Sequence, residues 1–293
     1  MHGYEVIEGE VWEDVVKLGR EGALLGIVTH PAREDRERPI VMFLNAGVLH
    51  RVGPHRLHVA LARRLAQRGL RSIRLDLGGL GDSPATATSG SFVEGAVADV
   101  RAAMTDLERQ FQTKRFVIFG LCSGADNGLA AAAEDDRVVG LVLLDPPSYA
   151  TRRATLRKAA RRVRELGSAR EVARWGMNLA VRQVRRRVAA LRARLGPTPP
   201  AEAPAPGREA PPQESLRRTL QALVDRGVAV LAVYSGAYGD RYNHRDQIFE
   251  LFPELRGRVD HEYYPAANHM FTEVAAQRAL MALVVSWLTK RFA

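Results

Sequence analysis

Apolar residues fall in short, nearly continuous runs, separated by longer stretches that carry them at helical spacing. "ALLGIVTH" (23–30) and "PIVMFLNAG" (39–47) read as the second and third strands of a series, with "EVWEDVVKL" before them as an edge strand. "HRLHVALARRLAQRG" (55–69) is an amphipathic helix whose final Gly69 suits a C-cap. "LRSIRLD" (70–76) is a strand, 91–111 a helix, and "RFVIFG" (115–120) a short apolar strand that runs into an Ala-rich helix from Ser123. "VVGLVLLD" (138–145) is the next strand. After a break, a helix at 215–226, the strand 228–236, a helix near 244–255, the strand 259–265 and a helix at 272–291 complete about eight strands and six core helices.

Strands that are apolar at successive positions must be covered on both faces. The expected fold is therefore α/β, with a mainly parallel sheet between two helical layers. Residues 1–146 and 215–293 form the core in this reading, and 147–214 an insertion. Within it, 151–194 suits two or three short amphipathic helices. The Pro- and Ala-rich stretch 196–212 suits a polyproline-like connector. An insertion at this point sits over the carboxyl ends of the strands, where open α/β sheets place their ligands, and so reads as a lid.

Charge sharpens the picture of that insertion. The chain carries a formal +10, yet 151–194 alone holds fourteen Arg and one Lys against two Glu. The remainder is thus slightly acidic. Neither zinc-finger spacing nor an RNA-binding aromatic motif accompanies the arginines, so no nucleic-acid partner is expected. One cysteine excludes an intrachain disulfide and any multi-cysteine metal cluster, and neither metal nor cofactor is expected. The first fifteen residues are acidic and lack the apolar run of a signal peptide, and "ALMALVVSWL" is too short to span a bilayer. These features lead to the expectation of a cytoplasmic protein without integral membrane association.

The same cysteine lies in "VIFGLCSGADNG" (117–128), where a strand passes into a helix. A nucleophile on so sharp a turn needs small residues two positions before and two after it. Centred on Cys122, the pattern finds Gly120 and Gly124; centred on Ser123, it finds Leu121 and Ala125. Cys122 is therefore the expected nucleophile, against the plainer reading of a buried structural cysteine. The base is expected in "PAANHMFTE" (265–273), after the last strand, which selects His269. For the acid, "YSGAYGDRYNHRD" offers Asp240, preferred for its closeness to the strand end, and Asp246; Asp145 is a further possibility. A developing oxyanion needs two donors, expected from the backbone of Ser123 and of Gly47 or Val48.

These motifs resemble an α/β-hydrolase along nearly the whole chain. "AGVLHRVGPHR" and "DLGGLGDS" within 46–83 are similar to serine aminopeptidase-like (S33) hydrolases, and closer still to the exosortase-associated hydrolase subgroup, which also has G-L-C at the elbow. The resemblance implies a Cys122–Asp240–His269 triad with Ser123 and the loop near Gly47 as oxyanion hole. The oxyanion loop departs from the family in lacking His-Gly. A cysteine nucleophile points to acyl transfer from a thioester, ester or lactone, to water or another acceptor. The arginines suit an acidic acyl carrier protein as a partner. The alternatives are an inactive scaffold used for binding and an S33-like peptidase.

Overall fold

The computed structural model describes residues 11–33, 35–85, 91–195, 210–239 and 241–292. Eight strands form one sheet: β1 (Trp12–Leu18), β2 (Leu24–His30), β3 (Ile40–Phe43), β4 (Ser72–Leu75), β5 (Phe116–Leu121), β6 (Val138–Leu144), β7 (Ala229–Ser235) and β8 (Asp260–Tyr264). Their order across the sheet is β1-β2-β4-β3-β5-β6-β7-β8. Pairings of β2 with β1 and β4 are antiparallel, and those from β4 through β3 to β8 are parallel.

Alternation along the central strands explains why they are apolar throughout. In β5, Phe116 and Ile118 face one core while Val117, Phe119 and Leu121 face the other. β3 divides in the same way, with Ile40 and Met42 on one side and Val41 and Phe43 on the other. The first face is covered by α2 (Phe92–Phe111), α3 (Ser123–Glu134) and α6 (Gln213–Asp225), through residues such as Val100, Leu129 and Leu220. The second is covered by α1 (Leu57–Ala66) and α8 (Val274–Arg291), through Leu61, Leu65, Val284 and Leu288. Local signals agree with these bounds. Ser91 accepts from the Glu94 backbone while Glu94 accepts from that of Ser91, a reciprocal cap that starts α2.

Two stretches differ from expectation. The helix expected near 244–255 shortens to α7 (Gln247–Leu251) and a separate turn over Pro253–Leu255. Pro253 lacks the N–H to continue a helix and forces Phe252 out of the helical region. The insertion holds two helices, within the two or three expected, but they are not both short: α4 (Arg152–Glu165) is followed by the long α5 (Ala169–Leu195). Most of the connector at 196–212 lies outside the described residues. Among those described, no helix is long and apolar enough to cross a membrane.

Candidate active site

The loops at the carboxyl ends of the parallel strands converge, held by backbone bonds between neighbours. Cys122 N–H donates to Leu144 O at 3.0 Å, Asp145 N–H to Val233 O at 2.7 Å, and Gly236 N–H to Ala267 O at 3.0 Å. Each bond fixes one loop against the next, so the site inherits the rigidity of the sheet.

At the end of β5 the chain turns at Cys122 with φ 59° and ψ −119°, a conformation that L-residues rarely adopt. The flanking glycines are sterically required. A Cβ on Gly120 would run into the Gly124 carbonyl, and one on Gly124 would lie 2.6 Å from Asn45 O. The turn is therefore as sharp as the spacing predicts. Ser123, the first residue of α3, keeps a backbone N–H without an intrahelical acceptor. Its hydroxyl accepts from Gly47 N–H at 2.8 Å, which ties the loop after β3 to the turn. The Val48 side chain points into solvent, 85% exposed.

His269 stands on the loop after β8. Asn268 shapes that loop by accepting from the backbones of Met270 and Thr272, both at 3.1 Å. Buried Phe271, at φ 48°, packs its ring edge-on against Tyr264 and anchors the far side. His269 Nδ1 donates to Asp145 Oδ2 at 2.7 Å. Asp145, at φ 46°, is buried at 1% exposure and also accepts from Ser235 N–H and Ser235 Oγ, both at 2.6 Å. The Asp145 hydrogen bond, followed by one with the Cys122 side chain, pushes the imidazole pKa of His269 up to about 9. Tyr238 sets its ring edge-on to His269, with its hydroxyl 3.4 Å from Nε2.

The acid bonded to His269 is thus the further possibility read from the sequence, Asp145. Asp145 at the end of β6 holds His269, while Asp240 lies outside the described residues. Asp246 instead lies 3.7 Å from His261. Other side chains that sequence reasoning passed over are Asn45, Arg51 and Asp76, which lock the loop after β3. Buried Asp76 accepts from Asn45 Nδ2 at 2.8 Å, Arg51 N–H at 2.7 Å and Arg51 Nη1 at 2.5 Å. Asn45 Oδ1 in turn accepts from Leu77 N–H at 2.9 Å.

Among the described residues, one group of three His, Cys, Asp or Glu side chains gathers its ligand atoms closely: His50, Asp76 and Asp82. Arg51 Nη1 lies inside it, 2.5 Å from Asp76 and 2.7 Å from Asp82, so a guanidinium already supplies the positive charge. The cysteine is not a member of this cluster. With Asp145 in the acid's place as well, the expected Cys122–His269–Asp240 triad and the cysteine-nucleophile acyl-transfer reading are corrected to a His–Asp pair.

The family described as "alpha/beta hydrolase fold" matches residues 39–221, more than half of the chain. The chain belongs to the α/β-hydrolase family. The match is to the broad family, and the narrower assignment to a cysteine-dependent, exosortase-associated subgroup is not retained. Among curated proteins, none matches. This α/β-hydrolase is similar in fold to a cold-adapted esterase from an Arctic intertidal metagenomic library, at 17% identity and TM-score 0.55, with 100% of both chains covered. It is also similar to an α/β serine hydrolase homologue from Coxiella burnetii, at 13% identity and TM-score 0.53, covering 99% of this chain and 100% of that one. A proline iminopeptidase from Mycobacterium smegmatis matches at 17% identity and TM-score 0.53, covering 94% and 98%.

Proposed function

We propose that this chain is an S33-like hydrolase that cleaves a carboxylic ester or amide. The observation that carries the reading is the pair of buried Asp145 and half-buried His269, at 2.7 Å, facing a strained strand-to-helix turn. In it, Asp145 keeps the proton on Nδ1. Nε2, once it has lost the proton that its raised pKa retains at neutral pH, takes one from the attacking group and returns it to the leaving group, so that turnover rises toward pH 9. The oxyanion is received by the backbone N–H of Ser123 and by that of Gly47 or Val48, the Gly47 N–H exchanging its Ser123 hydroxyl partner for substrate. The esterases and the iminopeptidase of similar fold support an ester or amide substrate.

The helices α4 and α5 act as a lid, and their arginines are suited to draw in an acidic substrate carrier, an acyl carrier protein among them. A rate that does not change from low to high salt rules that recruitment out. The proposed location is the cytoplasm, checked by cell fractionation. Hydrolysis of a p-nitrophenyl ester tests the main reading. Wild-type turnover that falls at least about 10³-fold in His269→Ala supports it. Turnover untouched by that substitution, or none on any ester or amide offered, rejects it.

A further inference from the structure

A cleft beside the catalytic pair is lined by Pro146, Pro147, Ser148, Ala210, Tyr238 and Arg241. Its walls are continuous with the site, since Pro146 follows Asp145 and Tyr238 touches His269. Arg241 is exposed and has no carboxylate partner among the described residues. Its loop is held in place: Arg241 N–H donates to Tyr238 O at 2.7 Å, and Asn243 Nδ2 donates to Ala154 O at 2.8 Å, pinning α4 to it.

Ala154 is the buried contact of α4, and Arg157 and Arg161 continue the same helix face, three and seven residues on. Arg161 is bonded to Glu165 at 2.9 Å, whereas Arg157 has no carboxylate partner among the described residues. The nearby Glu250 is occupied by Arg153 at 3.4 Å and His244 at 3.3 Å. Tyr263 connects this face to the site. Burial raises its phenol pKa, Arg161 and Arg157 oppose the rise, and Asp145 adds to it. Arg241 therefore lines the cleft without a described carboxylate partner, and Arg157 lies on the helix whose Ala154 is tied to the same loop by Asn243.

We propose that this cleft binds a carboxylate carried by the substrate, with Arg241 as its direct partner and Arg157 as a second cation from the lid. A guanidinium meets a carboxylate through paired N–H donors, and the adjoining prolines and Tyr238 supply an apolar wall for the linking methylenes. The hydrolase reading is needed only in that the carboxylate and the scissile bond share one molecule.

The test uses the mono-p-nitrophenyl ester of glutaric acid beside its uncharged methyl ester, together with thermal protection by glutarate against glutaramide. The wild type is expected to prefer the charged ester in kcat/KM. Arg241→Gln should lower the charged-to-neutral ratio roughly tenfold or more, and Arg157→Gln should lower it less. Glutarate should raise Tm in the wild type and lose that effect in Arg241→Gln, while glutaramide gives no rise. His269-dependent hydrolysis without charge preference, or an equal loss on both esters in Arg241→Gln, overturns the carboxylate site and leaves the hydrolase standing. Arg241-dependent protection by glutarate without hydrolysis of either ester does the reverse. Neither protection nor hydrolysis overturns both.

Discussion

Replacing Asp145 by Asn changes one oxygen to an amide nitrogen and reverses the logic of the site. Three groups donate to the carboxylate: His269 Nδ1, Ser235 N–H and Ser235 Oγ. An asparagine oxygen that stays with Ser235 leaves NH₂ facing His269, which must then accept at Nδ1 and carry its proton on Nε2. The nitrogen meant to take a proton is thereby blocked. The loss in kcat/KM on a p-nitrophenyl ester should reach about 10³- to 10⁴-fold. The same change should let the His269 pKa fall from about 9 toward the ordinary 6.5, read by NMR of the ring protons.

Stability supplies a second readout with a definite sign. Because the folded-state pKa of His269 is raised, its contribution is fully present below pH 6.5 and lost as pH rises through about 9. At ~1.4 kcal/mol per pH unit, the net rise, in which the bonds and charges of Asp145 and Cys122 outweigh the cost of burial, is worth on the order of 3 kcal/mol. The difference in unfolding free energy between wild type and Asp145→Asn should therefore narrow from pH 6 to pH 10. A variant that folds, keeps its activity within tenfold and leaves the His269 titration unmoved refutes the assignment of Asp145.

Three further outcomes follow from the packing. Gly124→Ala places a Cβ 2.6 Å from Asn45 O, so thermal melting should show a loss of about 1–3 kcal/mol together with lost turnover; a neutral result contradicts the tight turn. Asp76→Asn removes the charged acceptor that holds Arg51 and Asn45, at a cost on the order of 2–3 kcal/mol by denaturant unfolding. It should also depress kcat more than it raises KM, since the loop after β3 would lose its register. Cys122→Gly relieves a backbone conformation suited to glycine but removes the side chain bonded to His269, so in a His269→Ala background it should stabilise the fold by about 1 kcal/mol; a lower Tm there opposes the claim of strain at the turn.

Much of the fold could be read from the chain because its strands are apolar at successive positions and its helices are not. The central strands β3, β5, β6 and β7 lie close to where the apolar runs placed them, and the glycines at 120 and 124 marked the sharp turn correctly. His269 was legible from its place after the last strand. Asp145, only a further possibility in the sequence, is the acid bonded to His269, while Asp240, preferred for its closeness to the end of β7, lies outside the described residues. Asp145 ends an apolar run and precedes two prolines, and only the packing of β6 beside β7 aims it at the loop after β8. Arg51, Asn45 and Asp76 were illegible for a related reason: their network joins loops after two different strands, and no local spacing reports it. The insertion's second helix runs longer than the short helices expected because the arginine-rich segment contains no strong breaker between 169 and 195 except Gly176, which α5 absorbs.

The central claim is that a nucleophilic turn and the Asp145–His269 pair form one hydrolytic site. Trapping with a fluorophosphonate ester, followed by peptide mass spectrometry, tests it most directly. The account predicts a covalent adduct within residues 120–124 of the wild type, identifying the attacking group, and little or none in His269→Ala. An adduct elsewhere, or equal labelling of both proteins, contradicts it.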